Sequence, residues 1–328
     1  MKLLVLGASE VYDLLPYGEC ADVMRGALTA LARGEAHQPL RTIIRPPGSA
    51  GLMALMPSFL AGDDPAYGLK AICIFPGNPA LGKDAHQGGV LLSSARTGEL
   101  LALVNGSALT EIRTAAVSVV ATSLLARPGA AHLAIVGTGV QARAHALAIS
   151  ASRPLAGIRI AGRQAGPAAR LAGELGDQLA VPVLACGDVR EAVDGASIVV
   201  TATSSATPVL QREWLADGTH INAVGACLPA AREIDTATMA DAALFVDSRE
   251  SVGSESGDFL LAVAEGAIEA GHIRAEIGEV LTGAAPGRRA EREITVFESL
   301  GLAVEDLAAA AHLYRKASQS GAGRWVEF

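Results

Sequence analysis

The chain has 328 residues, half of them hydrophobic and 18% charged, with a formal net charge of −8. This composition excludes a disordered chain and leaves room for two domains, each with its own core. The acidic balance, with no Lys/Arg cluster, speaks against nucleic acid; no apolar run of membrane-spanning length stands out; and four scattered cysteines with no CxxC pair offer no metal spacing and fit a reducing cytoplasm.

The N-terminal MKLLVLGASEVYDLL reads as a first strand; Glu10 and Asp13 cut its apolar core too short for a signal peptide. A helical segment, CADVMRGALTALARG, precedes short strands in LRTIIRP, GLMALMP, GLKAICIFPG and GGVLLSSARTGELLALVNG, where the TGE turn predicts a hairpin. A helix is predicted from about Glu111 to Ala126, with Thr110 as its N-cap and Pro128-Gly129 beyond its end. From residue 131 apolar strands alternate with Ala-rich helical segments: HLAIV (132–136), GIRIA (157–161), VPVLA (181–185), SIVVTA (197–202), THINAV (219–224) and ALFVD (243–247). That alternation predicts an α/β domain with a doubly wound parallel sheet of the Rossmann type. An amphipathic helix, VEDLAAAAHLYRKA, and a polar tail close the chain.

The first Rossmann strand runs into Gly137-Thr138-Gly139-Val140-Gln141-Ala142, which fits G-x-G-x-x-G/A. The first Gly permits the tight turn, the second lets a diphosphate approach the backbone, and Ala142 lets helix and strand pack closely. The diphosphate would sit on free N–H groups at the positive end of the helix. At the tip of the second strand, Ile160-Ala161-Gly162-Arg163 carries no carboxylate to bind both ribose hydroxyls. Arg163 instead offers a guanidinium to a 2′-phosphate, which points to NADPH, with NADH possible. Thr201 and Thr203, at the end of the fourth strand, and Val224 and Gly225, at the end of the fifth, fall at the cofactor crevice of such a sheet.

Of the 26 basic residues only four are Lys, and one of them, Lys70, stands inside an apolar strand with no obvious partner. Arg41 opens another strand, and Arg113 falls in the first turn of the helix expected after Thr110, where the helix dipole opposes a cation. An anionic ligand shared by all three would account for them; pairing of each with a structural carboxylate is the alternative.

QPLRT (38–42), GLMALMP (51–57), Lys70, HQGGVLL (86–92), TGELLALVNGSALTEIRTAAVS (97–118), GTGVQA (137–142), HINAVGA (220–226), ESGD (255–258) and FESLGLAVEDLAAA (297–310) together resemble the ornithine cyclodeaminase and mu-crystallin family. The resemblance implies a homodimer. It also implies a substrate-binding and dimerisation domain over 1–118, to which 302–328 return, and a Rossmann dinucleotide-binding domain over 119–301. Arg41, Lys70 and Arg113 would hold the substrate carboxylate beside the nicotinamide, with Lys70 and Arg113 as the catalytic pair and Cys227 lining the substrate site.

Departures from the family pattern narrow the chemistry. Where the family's cyclodeaminases and alanine dehydrogenases carry an Asp, this chain has Cys227, in Gly225-Ala226-Cys227-Leu228-Pro229. Removing an amine from ornithine needs a base and a carboxylate to hold amino groups, which a thiol does not readily replace. Pro229 and Arg232-Glu233 match mu-crystallin, a ketimine reductase. Hydride addition to a protonated C=N needs no nucleophile, only a held carboxylate, an oriented imine and excluded water. The expected activity is therefore NAD(P)H-dependent reduction of a cyclic 2-imino acid, Δ1-pyrroline-2-carboxylate or Δ1-piperideine-2-carboxylate, to L-proline or L-pipecolate. Ornithine cyclodeaminase or alanine dehydrogenase activity, and a non-catalytic crystallin-like binding role, are the rivals. His86 reads as a strand-start structural His or a substrate contact, ESGD as a helix start or a structural carboxylate pair, and Glu298 replaces the family's frequent Lys.

Overall fold

A computed structural model describes residues 2–328. The chain divides into two compact units, Met1–Arg113 with Gly301–Phe328, and Thr114–Leu300, a few residues from the boundaries expected at 118/119 and 301/302.

The first unit holds β1 (Lys2–Leu6), α1 (Ala8–Leu14), α2 (Tyr17–Ala32), β2 (Ala36–His37), β3 (Thr42–Ile44), β4 (Leu52–Leu60), β5 (Ala66–Ile74), β6 (His86–Ser94) and β7 (Leu100–Asn105). The β4–β7 segments alternate buried and exposed positions, so one face of the sheet is a core face. The TGE segment does close a hairpin, β6 and β7 pairing antiparallel from Gly89↔Asn105 onward. The helix after β7, α3 (Gly106–Leu125), starts five residues earlier than expected. Asn105 Oδ1 accepts the Ala108 N–H at 2.9 Å and does the capping, while the Thr110 hydroxyl donates back to the Gly106 carbonyl from inside the helix. By length and apolar composition α3 could cross a membrane, contrary to the expectation that no such run exists, but most of it is buried inside the protein.

The second unit is the Rossmann domain: β8 (His132–Val136), α4 (Val140–Ser152), β9 (Gly157–Ala161), α5 (Ala165–Gly176), β10 (Val183–Ala185), α6 (Val189–Val193), β11 (Ile198–Thr201), β12 (His220–Ala223), α7 (Thr236–Asp241), β13 (Ala243–Val246), α8 (Arg249–Glu255), α9 (Gly257–Ala264), β14 (Ile273–Glu276), α10 (Ile277–Thr282) and β15 (Thr295–Glu298). All six expected strands are present, and the sheet has eight, in the order β10-β9-β8-β11-β12-β15-β13-β14 with parallel pairing throughout. The unforeseen β15, TVFE, threads between β12 and β13 and is buried on both faces, which is why it carries no alternation to reveal it. The order reverses between β8 and β11, the switch point where open sheets of this kind bind ligands.

The chain then re-enters the first unit with α11 (Ala303–Ser320) and β16 (Arg324–Glu327). α11 covers the core face of β4 to β7. The tail expected to be merely polar is an edge strand, β16 pairing antiparallel with β1 from Lys2↔Glu327 to Val5↔Arg324.

Candidate active site

The nucleotide loop is shaped by what glycine permits. Gly137 has φ +131°, and a Cβ there would lie 2.4 Å from the Ala202 carbonyl oxygen across the switch point, so a side chain is excluded twice. Gly139 caps α4 without any side-chain hydrogen bond, and nothing lies within 4 Å of where its Cβ would stand. Gly139 thus gives α4 no side-chain cap, and the open space beside it leaves room for a diphosphate at the helix N-terminus. Thr138 lies between the two glycines, Val140 is exposed in the first helical turn, and Ala142 is fully buried against the strand. The Gln141 carbonyl accepts a hydrogen bond from His145 Nδ1 at 2.7 Å; burial drives this His down to about 4, so it is neutral packing. Arg163 is exposed just beyond β9, and among the described residues nothing engages its guanidinium.

The rim of the crevice is braced by buried carboxylates. Thr201 ends β11 fully buried, and Val224 continues β12 with its N–H donating to the Thr201 carbonyl at 2.9 Å. Glu233 accepts the Thr203 N–H with Oε1 at 2.6 Å and the Gly225 N–H with Oε2 at 2.7 Å, tying together the loops after β11 and β12. Burial pushes the Glu233 carboxyl up, and those donors pull it back. Asp258 Oδ1 in turn accepts the N–H groups of Glu233 and Ile234, both at 2.8 Å. The ESGD segment thus starts α9, as one of its sequence readings had it, and through Asp258 alone anchors the loop that carries Cys227. The Cys227 thiol is partly buried and donates to the Val224 carbonyl at 3.5 Å. Glu298 ends β15 fully buried, where Ser256 Oγ donates to its Oε2 at 3.1 Å.

In the first unit, the three cations come together. Lys70 and Arg113 are only 3% and 5% exposed. Lys70 Nζ lies 3.0 Å from Asp306 Oδ1; Arg113 reaches the same oxygen with Nε at 3.1 Å and Glu305 Oε2 with Nη1 at 2.8 Å. Arg41 donates to the Gly301 carbonyl at 3.0 Å, close enough to Lys70 to depress its ammonium. Gly301 itself, at φ +80°, leaves room for Arg113: a Cβ there would stand 2.5 Å from Nη1. Two sequence expectations are corrected. Arg113 is two turns inside α3 rather than in its first turn, so the helix dipole does not explain it. Lys70 and Arg113 do have partners, the first-turn acids of α11. These five side chains, three cations against two carboxylates, still sum to one positive charge. His86 is exposed at the start of β6; desolvation, then Lys70 and Arg113, hold its imidazole below the usual range.

Glu305 and Asp306 escaped the sequence reading, as did the brace that Glu233 makes between two loops, while Asp258 was singled out only within ESGD. Acids in the first turn of an amphipathic helix are expected on dipole grounds alone, so nothing singled out the α11 pair. Their one signal was an unpartnered Lys70 that needed an anion from elsewhere in the chain. Among the described residues no His, Cys, Asp and Glu group could hold a metal ion.

The ornithine cyclodeaminase/mu-crystallin family model matches residues 1–321. A Delta(1)-pyrroline-2-carboxylate reductase of Bacillus cereus is 38% identical over 327 residues, which cover 99% of this chain and 100% of that protein. The solved structure of Thermococcus litoralis Delta(1)-pyrroline-2-carboxylate reductase in complex with NADH and L-proline superposes with a TM-score of 0.95 at 37% identity, covering 98% of this chain and 99% of that one. An archaeal alanine dehydrogenase dimer with bound NAD superposes with a TM-score of 0.93 at 30% identity over the full length of both chains. With a diphosphate loop at the switch point of one unit, a cation cluster in the other and a match that leaves out only seven C-terminal residues, this chain belongs to the ornithine cyclodeaminase/mu-crystallin family.

Proposed function

We propose that the protein reduces a cyclic 2-imino acid, Δ1-pyrroline-2-carboxylate or Δ1-piperideine-2-carboxylate, to L-proline or L-pipecolate at the expense of NAD(P)H. The observation that carries this reading is the buried cluster of Arg41, Lys70 and Arg113 with Glu305 and Asp306, whose single excess positive charge suits one carboxylate. A bound reduced nicotinamide supplies the hydride. Gly137, Thr138, Gly139, Val140 and Gln141 would hold its diphosphate, with Thr201, Thr203, Val224 and Gly225 along the crevice. Arg163, with no acid beside it, supports NADPH over NADH.

Arg41, Lys70 and Arg113 bind the substrate carboxylate and so orient the ring. Their burial strengthens that attraction relative to water, and fixing the ring replaces a random encounter with a set one. The iminium carbon is already electrophilic, so no side chain has to attack it. Cys227 supplies no standing negative charge for a substrate ammonium, which favours imine reduction over deamination of ornithine. Steady-state oxidation of NADPH with a panel of cyclic imines tests the assignment; no turnover with either imino acid would reject it.

The same reading includes a homodimer. α11 covers one face of the first unit's sheet, and the other presents Met53, Tyr67 and Leu103 at 38%, 54% and 37% exposure. Register and alternation put these three on that one face. An open apolar face of this kind suits a second copy of the chain. Light scattering of the wild type and Tyr67→Glu checks it, with dimer expected for the first and monomer for the second.

A further inference from the structure

Asp306, in the first turn of α11, is held by two cations through a single oxygen. Its Oδ1 takes Lys70 Nζ at 3.0 Å and Arg113 Nε at 3.1 Å, while Oδ2 is buried with no hydrogen-bond partner among the described residues. Lys70 is 236 positions away and Arg113 is 193, so α11 brings one shared anion to β5 and α3 from the far end of the chain. We infer that Asp306 is a positioning residue for the reduction: one carboxylate oxygen fixes Lys70 and Arg113 at a set spacing, as a charged pair on which the substrate carboxylate docks. The inference rests on the reductase reading above.

Lys70 is the member of the pair whose charge can be lost near neutrality. Burial pushes its ammonium down to about 8, Arg113 and Arg41 push the same way, and Asp306 opposes them. The groups facing the cluster are Arg41 from the segment before β3, His86 from β6, Cys20 from α2, Arg113 from α3 and the two acids of α11. Guanidinium groups do not titrate in the working range. Burial raises the Cys20 thiol out of that range, and His86 is depressed toward the acid side. Lys70 therefore governs the alkaline limb: below its pKa the cation is present, and carboxylate binding is lost as pH rises through it. Without the Asp306 charge Lys70 would lose its proton at a lower pH.

Asp306→Asn isolates the charge. The amide oxygen can take the place of Oδ1, and the NH2 group falls where Oδ2 has no donor to lose. The chain has only four lysines, so biosynthetic 13C labelling at lysine Cε gives a simple spectrum in which Lys70→Met assigns the Lys70 signal. In the wild type the Lys70 signal is expected to titrate at about 8. In Asp306→Asn its titration, and the alkaline limb of kcat/KM for the imino acid, should both move to lower pH by about one unit or more. At pH 6, where Lys70 is more fully protonated, the variant should have lost less of its kcat/KM than at pH 8, and the KM for NADPH should stay nearly constant throughout. Asp306→Glu should restore much of the limb, and Lys70→Arg should abolish it. A folded Asp306→Asn whose Lys70 titration and pH profile superimpose on the wild type overturns the inference. If Asp306→Asn does not fold, a Lys70→Arg profile that keeps its alkaline limb overturns it equally. If no imino acid is reduced by the wild type, the function is wrong, and the Cε titration alone decides whether Asp306 holds Lys70 charged.

Discussion

Glu233 and Gly225 are joined by a hydrogen bond of 2.7 Å, from the Gly225 N–H to Oε2, while the other carboxylate oxygen takes Thr203 at 2.6 Å. One buried side chain thus sets the spacing of two adjacent loops, those after β11 and β12. Glu233→Ala leaves both N–H groups without their acceptor, and should cost roughly 1–3 kcal/mol of stability. Urea unfolding measures that, and fluorescence titration should show weaker NADPH binding. An unchanged Kd for NADPH would mean that the brace matters only for folding.

Lys70→Met and Arg113→Met should each lower kcat/KM for the imino acid by roughly 10- to 1,000-fold, since each removes a charge-assisted bond that also orients the ring. The two differ in stability. Arg113 neutralises Glu305 and shares Asp306 with Lys70, so its loss strands buried negative charge and should cost about 3–5 kcal/mol. Lys70→Met leaves Asp306 with Arg113 and should cost less. Thermal unfolding alongside kinetics separates the two effects; wild-type kinetics in both variants would remove the cations from the site.

Arg163 stands exposed and unengaged beyond β9. The enzyme is expected to have a higher kcat/KM with NADPH than with NADH. Arg163→Ala should erode that preference by roughly 1.5–3 kcal/mol, the worth of a hydrogen bond to a charged group. A cofactor ratio indifferent to the mutation would assign the preference elsewhere.

Asp258 and Glu298 are carboxyls pushed up first by burial; Glu233 adds to the rise of Asp258, to about 7, and Asp258 in turn adds to that of Glu298, which lies well above its ordinary value. A carboxyl whose pKa is higher folded than unfolded binds more protons in the native state, so stability falls as pH rises from about 4 to 7. Glu298→Gln removes one of the two charges. It should therefore flatten the decline in Tm between pH 5 and pH 8 relative to the wild type. Parallel Tm profiles for the two proteins would contradict this.

Cys227 is a partly buried thiol donating to the Val224 carbonyl. Cys227→Ser should keep most reductase activity, because no covalent step is assigned to the sulfur. Cys227→Asp should reduce the imine only modestly less well and gain a trace of amino-acid oxidation, since a carboxylate can pair with a substrate amine. The wild type should release no ammonia from ornithine with catalytic NAD. Robust ammonia and proline in that assay would restore the cyclodeaminase.

The Rossmann unit was legible because its determinants are local. Six apolar runs at regular spacing, and Gly137 and Gly139 directly after the first, act through backbone geometry and strand burial within a few residues. β15 was not legible, since a strand buried on both faces loses its alternation and its place between β12 and β13 comes from pairing alone. The α3 start was misjudged because Asn105 and Thr110 are both competent caps, and the fold allowed five more residues into the helix. The cation cluster divides the same way. An unexplained Lys in an apolar strand could be noticed from the sequence, as could two arginines of the same kind. That Asp306 and Glu305 supply the counter-charge depends on α11 returning to cover β4 to β7 after the whole Rossmann unit. Contacts between residues 236 positions apart leave no periodicity behind, so only the tertiary structure could decide which anions hold these cations, and how much positive charge remains for a substrate.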